Sequence, residues 1–330
     1  MGVSYVEQDR QAVRMIALDI DGTLLGAGGV VSERTLVAIE AAERCGIEVV
    51  VATGRRHSYA MRILRGLGFR SEGVLVSSNG TVTRTVSAGL IERTQMGRAT
   101  AEWICGQVGE FRNALVMTFD LVGSDGEDAR GALVVEELAE LHGSIEKWMV
   151  ANEPYLLRVR PIEGALEAGD PIQMMLCGTV ERMRRAEARL VEDRRVLGVG
   201  EADREGVEIV LNRTEYPERD LSILDILPAG CSKGLALGRL AERWGMRTGE
   251  MMAIGDNWND VSMLEAVGWP VLMGNAPVEL LRMAAERGWE VTGRNVEDGV
   301  AGAIERMLRV RAEVGMGAPA LVGAAGASVR

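Results

Sequence analysis

Apolar and polar positions alternate along the chain in long blocks. Val13 to Ile20 is a nearly continuous apolar run that breaks into Asp19-Ile20-Asp21-Gly22-Thr23. Unbroken runs of this kind suit a parallel strand buried on both faces. A helical pattern follows from Ser32, placed as an N-cap, to Cys45, with Gly46 just past its end. Ile47 to Ala52 predicts the next strand, ending in Thr53-Gly54-Arg55. A further helix leading through Gly68 and a strand at Val74–Val76, closed by Ser77-Ser78-Asn79-Gly80, complete a β-α-β-α-β pattern. The same grammar returns near the C-terminus: a helix from Ser232 to Trp244, a strand Met251–Ile254 ending in Gly255-Asp256-Asn257-Trp258-Asn259-Asp260, another helix, and a strand Val271–Met273 before Gly274-Asn275-Ala276. In open α/β sheets ligands gather at the carboxyl ends of strands, where these small polar residues fall.

Between the two α/β portions the pattern changes. Strand-like segments (Ala114–Phe119, Tyr155–Val159, Ile172–Cys177, Val207–Leu211) mix with helices such as Val180–Val191. The predicted architecture is therefore a Rossmann-like, doubly wound parallel sheet core built from residues 1–94 and 218–330, with an α+β domain of residues 95–217 inserted into it. A length of 330 residues agrees with two domains. The Arg-rich helix near Glu181–Arg195 reads as a solvated surface helix, its six arginines set against four acidic residues. Residues 1–12 and 315–330 read as loosely ordered tails.

Composition narrows the chemistry. The net charge is −11, which argues against broad nucleic-acid affinity because that needs a basic face. It does not exclude phosphate esters, since a divalent cation can bridge two negative partners. Four widely spaced cysteines (Cys45, Cys105, Cys177, Cys231) form no Cys-x-x-Cys pair and point to a reducing compartment rather than to zinc or disulfides. With two histidines, His57 and His142, and no His-Glu-x-x-His, a zinc hydrolase is not indicated; His57 reads as an exposed or packed side chain. No signal-like h-region and no long apolar span predict a cytoplasmic protein without a membrane partner. Gly26-Ala27-Gly28-Gly29 lacks the third glycine of a dinucleotide fingerprint and reads as a turn, and no P-loop is present.

Two aspartates at i and i+2 after a buried strand, Asp19 and Asp21, cannot both serve an apolar core. With Gly22 turning the chain both can face one cavity, one attacking an electrophile while the other handles the proton; a turn plus helix cap is the plain structural alternative. Asp256 and Asp260, with Asn257 and Asn259 beside them, supply hard oxygen donors suited to Mg2+, or alternatively dress a helix N-terminus. Thr53, with Gly54 beside it, offers a hydroxyl and backbone amides to a phosphate; Lys233 at a helix start is a mobile cation, though many helices begin Ser-Lys.

In this order the four elements are specific. DxDGT at Asp19–Thr23, Thr53 at a strand end, Lys233 at a helix start and GDxxND at Gly255–Asp260 resemble the haloacid dehalogenase superfamily. The position and size of the insertion, together with the Ser-Asn-Gly and Met-Gly-Asn-Ala strings, resemble its Cof-type subgroup with a C2B cap. The resemblance implies Asp19 as a nucleophile that becomes an aspartyl-phosphate and Asp21 as general acid, then base. It implies Mg2+ held by the Asp19 and Asp256 carboxylates and the Asp21 backbone carbonyl, with Asn259 and Asp260 orienting its waters. Thr53 and Lys233 would hold the transferring phosphoryl group, and Gly54, Arg55, Asn79, Gly80 and Asn275 are candidate phosphate or substrate contacts, Arg55 equally a salt-bridged surface residue. The second acid, Asp21, separates the chain from the dehalogenase and P-type ATPase branches.

The reading that follows is a Mg2+-dependent phosphatase acting on a small phosphorylated metabolite such as a sugar phosphate. A phosphomutase, a glycosyl-phosphate phosphatase and a non-catalytic phospho-ligand sensor are the alternatives.

Overall fold

A computed structural model describes residues 13–65, 67–70, 72–137, 146–201 and 204–313. Both expected tails, and His142, lie outside these residues. The apolar runs form one eight-stranded sheet: β1 (Met15–Leu18), β2 (Glu48–Ala52), β3 (Val74–Ser77), β4 (Val82–Thr85), β5 (Leu90–Arg93) and, after the seven strands of a second sheet, β13 (Met251–Gly255), β14 (Trp269–Leu272) and β15 (Glu290–Val291). Their order is β15-β14-β13-β1-β2-β3-β4-β5. All pairs from β15 through β3 are parallel, and β3-β4-β5 is an antiparallel edge. From β1 the chain winds one way to β2 and β3; from β13 it winds the other way to β14 and β15. The crevice at such a reversal, here between β1 and β13, is where ligands bind in doubly wound sheets.

Local chemistry explains the boundaries. The Ser32 hydroxyl accepts the Thr35 N–H at 3.1 Å and starts the helix Glu33–Arg44. Ser232 does the same for the helix Lys233–Arg243 through Leu235 N–H, also at 3.1 Å. The helix expected to lead through Gly68 is shorter, His57–Leu64. His57 is buried and packed, and burial lowers its pKa to about 4, so it is a neutral core residue. Ala27–Gly29 is a short 3-10 turn. Helices cover both faces of the sheet, giving two apolar layers, one centred on Ile16, Val49 and Ile304 and the other on Ala17, Val50 and Leu237.

The second sheet has seven strands: β6 (Leu115–Thr118), β7 (Leu133–Val135), β8 (Leu156–Arg158), β9 (Gln173–Gly178), β10 (Val196–Leu197), β11 (Ile209–Tyr216) and β12 (Leu221–Pro228), in the order β10-β11-β12-β9-β6-β7-β8. Its central strands are antiparallel and its two edge pairs parallel. It has its own core around Phe111, Met117, Leu176 and Leu224. The expected division at 217/218 cuts a hairpin: β11 and β12 pair antiparallel along their whole length, Ile209 with Pro228 through Tyr216 with Leu221. The chain rejoins the first sheet's layers only after Pro228. Pro217 marks a tight turn between paired strands, which from sequence is indistinguishable from a linker. All four cysteines are free, and no helix of the described residues is long and apolar enough to cross a membrane.

Candidate active site

β1 and β13 run side by side with Leu18 opposite Ile254, so Asp19 and Asp256 emerge together. Both are buried. The loop after Asp19 passes so close to Asp256 that a Cβ on Gly22 would stand 2.2 Å from Asp256 Oδ2; its φ of +80° also requires glycine. The Thr23 hydroxyl donates to Asp256 Oδ1 at 2.9 Å. Asn275 donates to the Gly22 carbonyl at 2.8 Å and accepts the Asn295 N–H at 2.9 Å, bracing the same loop.

Lys233, fully buried, donates to Asp19 Oδ1 and to Asp260 Oδ1, both at 2.6 Å. Asp260 Oδ2 accepts the backbone N–H of Asp256 and of Asn257, each at 2.9 Å. Both oxygens of Asp260 are thus engaged, which makes it a brace for the β13 loop. Burial, then the Asp260 charge, push Asp19 up to about 7 against the pull of Lys233. Asp256 is raised well above its ordinary value by burial and by Asp260 and Asp19. Burial alone would lower Lys233, but Asp19 and Asp260 carry it above the usual lysine value. Asp19, Asp256 and Asp260 each offer an oxygen within 4.8 Å of the others. Three buried carboxylates face one ammonium, and the excess negative charge on hard oxygen donors fits a divalent cation.

Asp21 lies at the mouth. Arg55 grips it with two hydrogen bonds, Nε to Oδ2 at 2.7 Å and Nη2 to Oδ1 at 2.6 Å, while its guanidinium lies 4.6 Å over the Tyr59 ring. Burial would lower Arg55, but the hydrogen bond and charge of Asp21, with Tyr59 and Asp19 nearby, together raise it. The Thr53 hydroxyl, buried, accepts the Arg55 N–H at 3.1 Å. Asn79 donates its backbone N–H to the Thr53 carbonyl at 3.0 Å and its side-chain amide to Asp225 at 2.8 Å, and accepts from Asn259 at 3.3 Å. A Cβ on Gly80, with φ of +94°, would stand 2.2 Å from the Ser232 carbonyl oxygen. That glycine lets the β3 loop press on the start of the lysine's helix.

A cavity of about 220 Å3 lies between the sheets. Asp19, Asp21, Gly54, Arg55 and Asn259 form its first-sheet wall; Thr118, Trp148, Gln173, Met175, Tyr216 and Asp225 are among its second-sheet residues. Of the expected substrate contacts, Gly54 and Arg55 line it. Asn79, Gly80 and Asn275 do not: their polar or steric capacity is committed to Asp225, to Ser232 and to the Gly22 loop. Thr23 and Asn257 carry a sequence signal only as parts of their motifs, and Tyr59 lines the cavity with no motif around it. Asp225 carried a signal, a lone acid inside Ile223-Leu224-Asp225-Ile226-Leu227. Asn257 ties the walls together, donating to the Glu215 carbonyl at 3.2 Å and accepting the Glu215 N–H at 3.3 Å.

The family model of haloacid dehalogenase-like hydrolases matches residues 16–125 and 204–304, more than half of the chain. The chain is 29% identical over 310 residues to the 5-amino-6-(5-phospho-D-ribitylamino)uracil phosphatase YwtE of Bacillus subtilis, covering 90% of this chain and 98% of that protein. It is 26% identical over 277 residues to the HMP-PP phosphatase of Shigella flexneri, covering 81% and 86%. Among solved structures, TM0651 from Thermotoga maritima superposes with a TM-score of 0.65 at 23% identity, over 89% of this chain and 97% of that one. The fold, the paired aspartates and the matched model agree, and the chain belongs to the haloacid dehalogenase-like hydrolases.

Proposed function

We propose that the chain is a Mg2+-dependent phosphatase that hydrolyses a small phosphorylated metabolite through an aspartyl-phosphate on Asp19. The observation that carries this reading is the buried Asp19–Lys233–Asp260 chain set beside Asp21 at one cavity. Lys233 engages Asp19 Oδ1, so Oδ2 is the oxygen that attacks phosphorus. The bond from phosphorus to the ester oxygen breaks as the new one forms, and Asp21 delivers a proton to the departing alkoxide. Asp21, now a carboxylate, removes a proton from water; the hydroxyl attacks phosphorus and releases inorganic phosphate and free Asp19. Arg55 engages both oxygens of Asp21 as acceptors in the free site, so a substrate phosphoryl group that draws the guanidinium onto its own oxygens would free Asp21 to take up the proton it then delivers.

The Asp19 and Asp256 carboxylates and the Asp21 backbone carbonyl would hold Mg2+, with Asp260 and Asn259 orienting its waters. Bound there, the ion supplies charge neutralisation to the phosphoryl oxygens. Lys233 supplies a second positive charge that needs no reorganisation, since its ammonium is already buried and aimed. The second sheet and its helices act as the cap, excluding bulk water and choosing the leaving group. Residues 95–217 were the expected cap; with β12 included it extends to about Pro228. A cavity below the usual ligand-pocket range of roughly 300–1,000 Å3 suits a small ester. The named substrates of the two relatives are likewise small metabolites, and a sugar phosphate is of that size.

The test is phosphate release from a panel of phosphorylated metabolites, with and without Mg2+, for the native chain and Asp19→Asn. Turnover that needs Mg2+ and vanishes in Asp19→Asn is expected. Release that persists in Asp19→Asn would sink the covalent route, and transfer between two positions of one sugar without free phosphate would mark a mutase.

A further inference from the structure

Asn79 joins the two sheets beside the cavity. It is 0% exposed, and both ends of its amide are hydrogen-bonded. Nδ2 donates to Asp225 Oδ2 of β12 at 2.8 Å, and Oδ1 accepts from Asn259 Nδ2 at 3.3 Å. A Cβ on Gly54 would stand 3.2 Å from each of those two Asn79 atoms, so the amide lies against bare backbone with little room to turn. The main chain is held as well. Ser78 and Asn79 adopt left-handed φ values of +50° and +52°, and donate their N–H groups to the Arg55 and Thr53 carbonyls at 2.8 and 3.0 Å. Two consecutive non-glycine residues in that conformation are strained, and such strain persists where the surroundings over-determine it.

The order of donors and acceptors is dictated from the second sheet. Two amides alone can satisfy each other in either sense, because each has a donating and an accepting end. The Asp225 carboxylate breaks that degeneracy: it turns the Asn79 NH2 toward itself and the Asn79 carbonyl toward Asn259. A proton on Asp225 would reside on Oδ1, where the Gln173 carbonyl has no other donor among the described residues, so Oδ2 accepts from Asn79 in either state. Asn259 then spends one N–H on Asn79 and, lining the cavity, keeps its second N–H and its carbonyl in a set orientation. A flip of both amides would exchange those ends.

We propose that Asp225 and Asn79 are positioning residues for the reaction: a carboxylate of the second sheet sets, through Asn79, the orientation in which Asn259 orders the waters of the metal site. The consequence for turnover rests on the phosphatase reading above; the consequence for metal binding does not need a substrate.

Asn79→Gly removes the amide at a backbone angle that glycine favours, and Asp225→Leu removes the acceptor. Each lowers kcat at least about tenfold while KM stays within about threefold. Asp225→Asn recovers to within about threefold of the native chain, since its carbonyl takes the Asn79 N–H and the Gln173 carbonyl can turn to its new amide. In an Asn259→Ala background Asn79→Gly and Asp225→Leu each cost less than about twofold, because nothing is left for them to orient. Urea unfolding selects the variants that are folded, and either of the two carries the test. Calorimetry with Mg2+ alone is the readout without turnover. Asn79→Gly, which changes no charge, weakens Mg2+ binding at least about threefold when Asn259 is present and leaves it unchanged when Asn259 is absent. Penalties of equal size with and without Asn259, a loss borne by KM, or Asp225→Asn as impaired as Asp225→Leu overturn the positioning role and leave the phosphatase reading standing. No hydrolysis of any ester, with Mg2+ binding that depends on Asn79 through Asn259, overturns the phosphatase reading and supports the relay; absence of both overturns both.

Discussion

Two buried aspartates, one in each sheet, show how the same residue type serves different ends. Asp19 and Asp225 are both pushed up to about 7, in each case first by burial. Asp19 meets a full counter-charge, the Lys233 ammonium at 2.6 Å, and shares it with Asp260. Asp225 meets amides, Asn79 at 2.8 Å and Gln173 at 3.5 Å. The first environment holds an anion ready to attack, and the second holds an acceptor that a neutral or cationic partner can complete. Charge pairing commits Asp19 to a fixed cation, whereas amide pairing leaves Asp225 facing neutral groups. Asn79 links the two, because it touches Asp225 on one side and Asn259 on the other.

The largest effect is expected where the charge pairing is removed. Lys233→Met leaves Asp19 and Asp260 buried side by side without their cation. Breaking a buried pair from one side destabilises by about 3–5 kcal/mol, and turnover should fall by at least about 10³-fold with the lost electrostatic stabilisation. Lys233→Arg should not rescue activity, since the ammonium is 0% exposed and a planar fork does not fit a site built for a point charge. Urea unfolding and single-turnover phosphate release check both effects. Activity within tenfold of the native chain would reduce Lys233 to a core-packing residue and erase the contrast with Asp225.

That contrast also explains what could be read from the chain. The first sheet's site is built from contiguous strings, Asp19–Thr23 and Gly255–Asp260, each at the end of a buried apolar strand. The turn that places Asp21 and the cap that starts the lysine's helix are local, so their residues sit within a few positions of each other. The second sheet's wall is assembled differently. Thr118, Trp148, Gln173, Tyr216 and Asp225 come from five separate elements and meet only through sheet pairing. Strand register brings Gln173 to Asp225 across 52 positions, and no local pattern encodes that meeting. For the same reason Asn79, Gly80 and Asn275 were legible as special but not as braces. Their partners Asp225, Ser232 and Gly22 lie far along the chain. The boundary error at 217/218 is also non-local, since only the pairing of β11 with β12 assigns the hairpin to the second sheet.

A smaller effect tests how firmly the two regions are joined. Arg56 of the first region, which also lines the cavity, reaches the side chains of Asp128 and Asn152 of the second, and Ser58 also bonds Asp128. Arg56 and Asp128 are both buried, and burial first of all lowers Arg56 to about 10. Asp128→Asn keeps an acceptor but removes the counter-charge, so a loss of about 2 kcal/mol is expected in urea unfolding. A change below about 0.5 kcal/mol, the level of an ordinary surface substitution, would mean that other contacts between the regions, such as Arg84 with Asp120 and Arg62 with the Ala151 carbonyl, hold the sheets together.

The smallest effect carries a sign that depends on pH. Asp225 has a folded pKa of about 7 against an ordinary value of 3.8. Between these values the folded state binds more protons than the unfolded state, so its stability falls as pH rises. The stabilising contribution of protonated Asp225 is complete below about pH 4 and is lost as pH climbs through 7. Asp225→Asn keeps the shape and has no proton to lose. Its stability relative to the native chain should therefore rise with pH, from near equality at pH 5 to an advantage of about 1–2 kcal/mol at pH 8, discounted from the full linkage value because Asn79 and Gln173 must re-pair with an amide. Urea midpoints at pH 5, 6.5 and 8 measure it. A variant that is less stable at pH 8 would show that the ionised Asp225 is well solvated by its amide partners, and the site would then resemble the charge-paired Asp19 more than it differs from it.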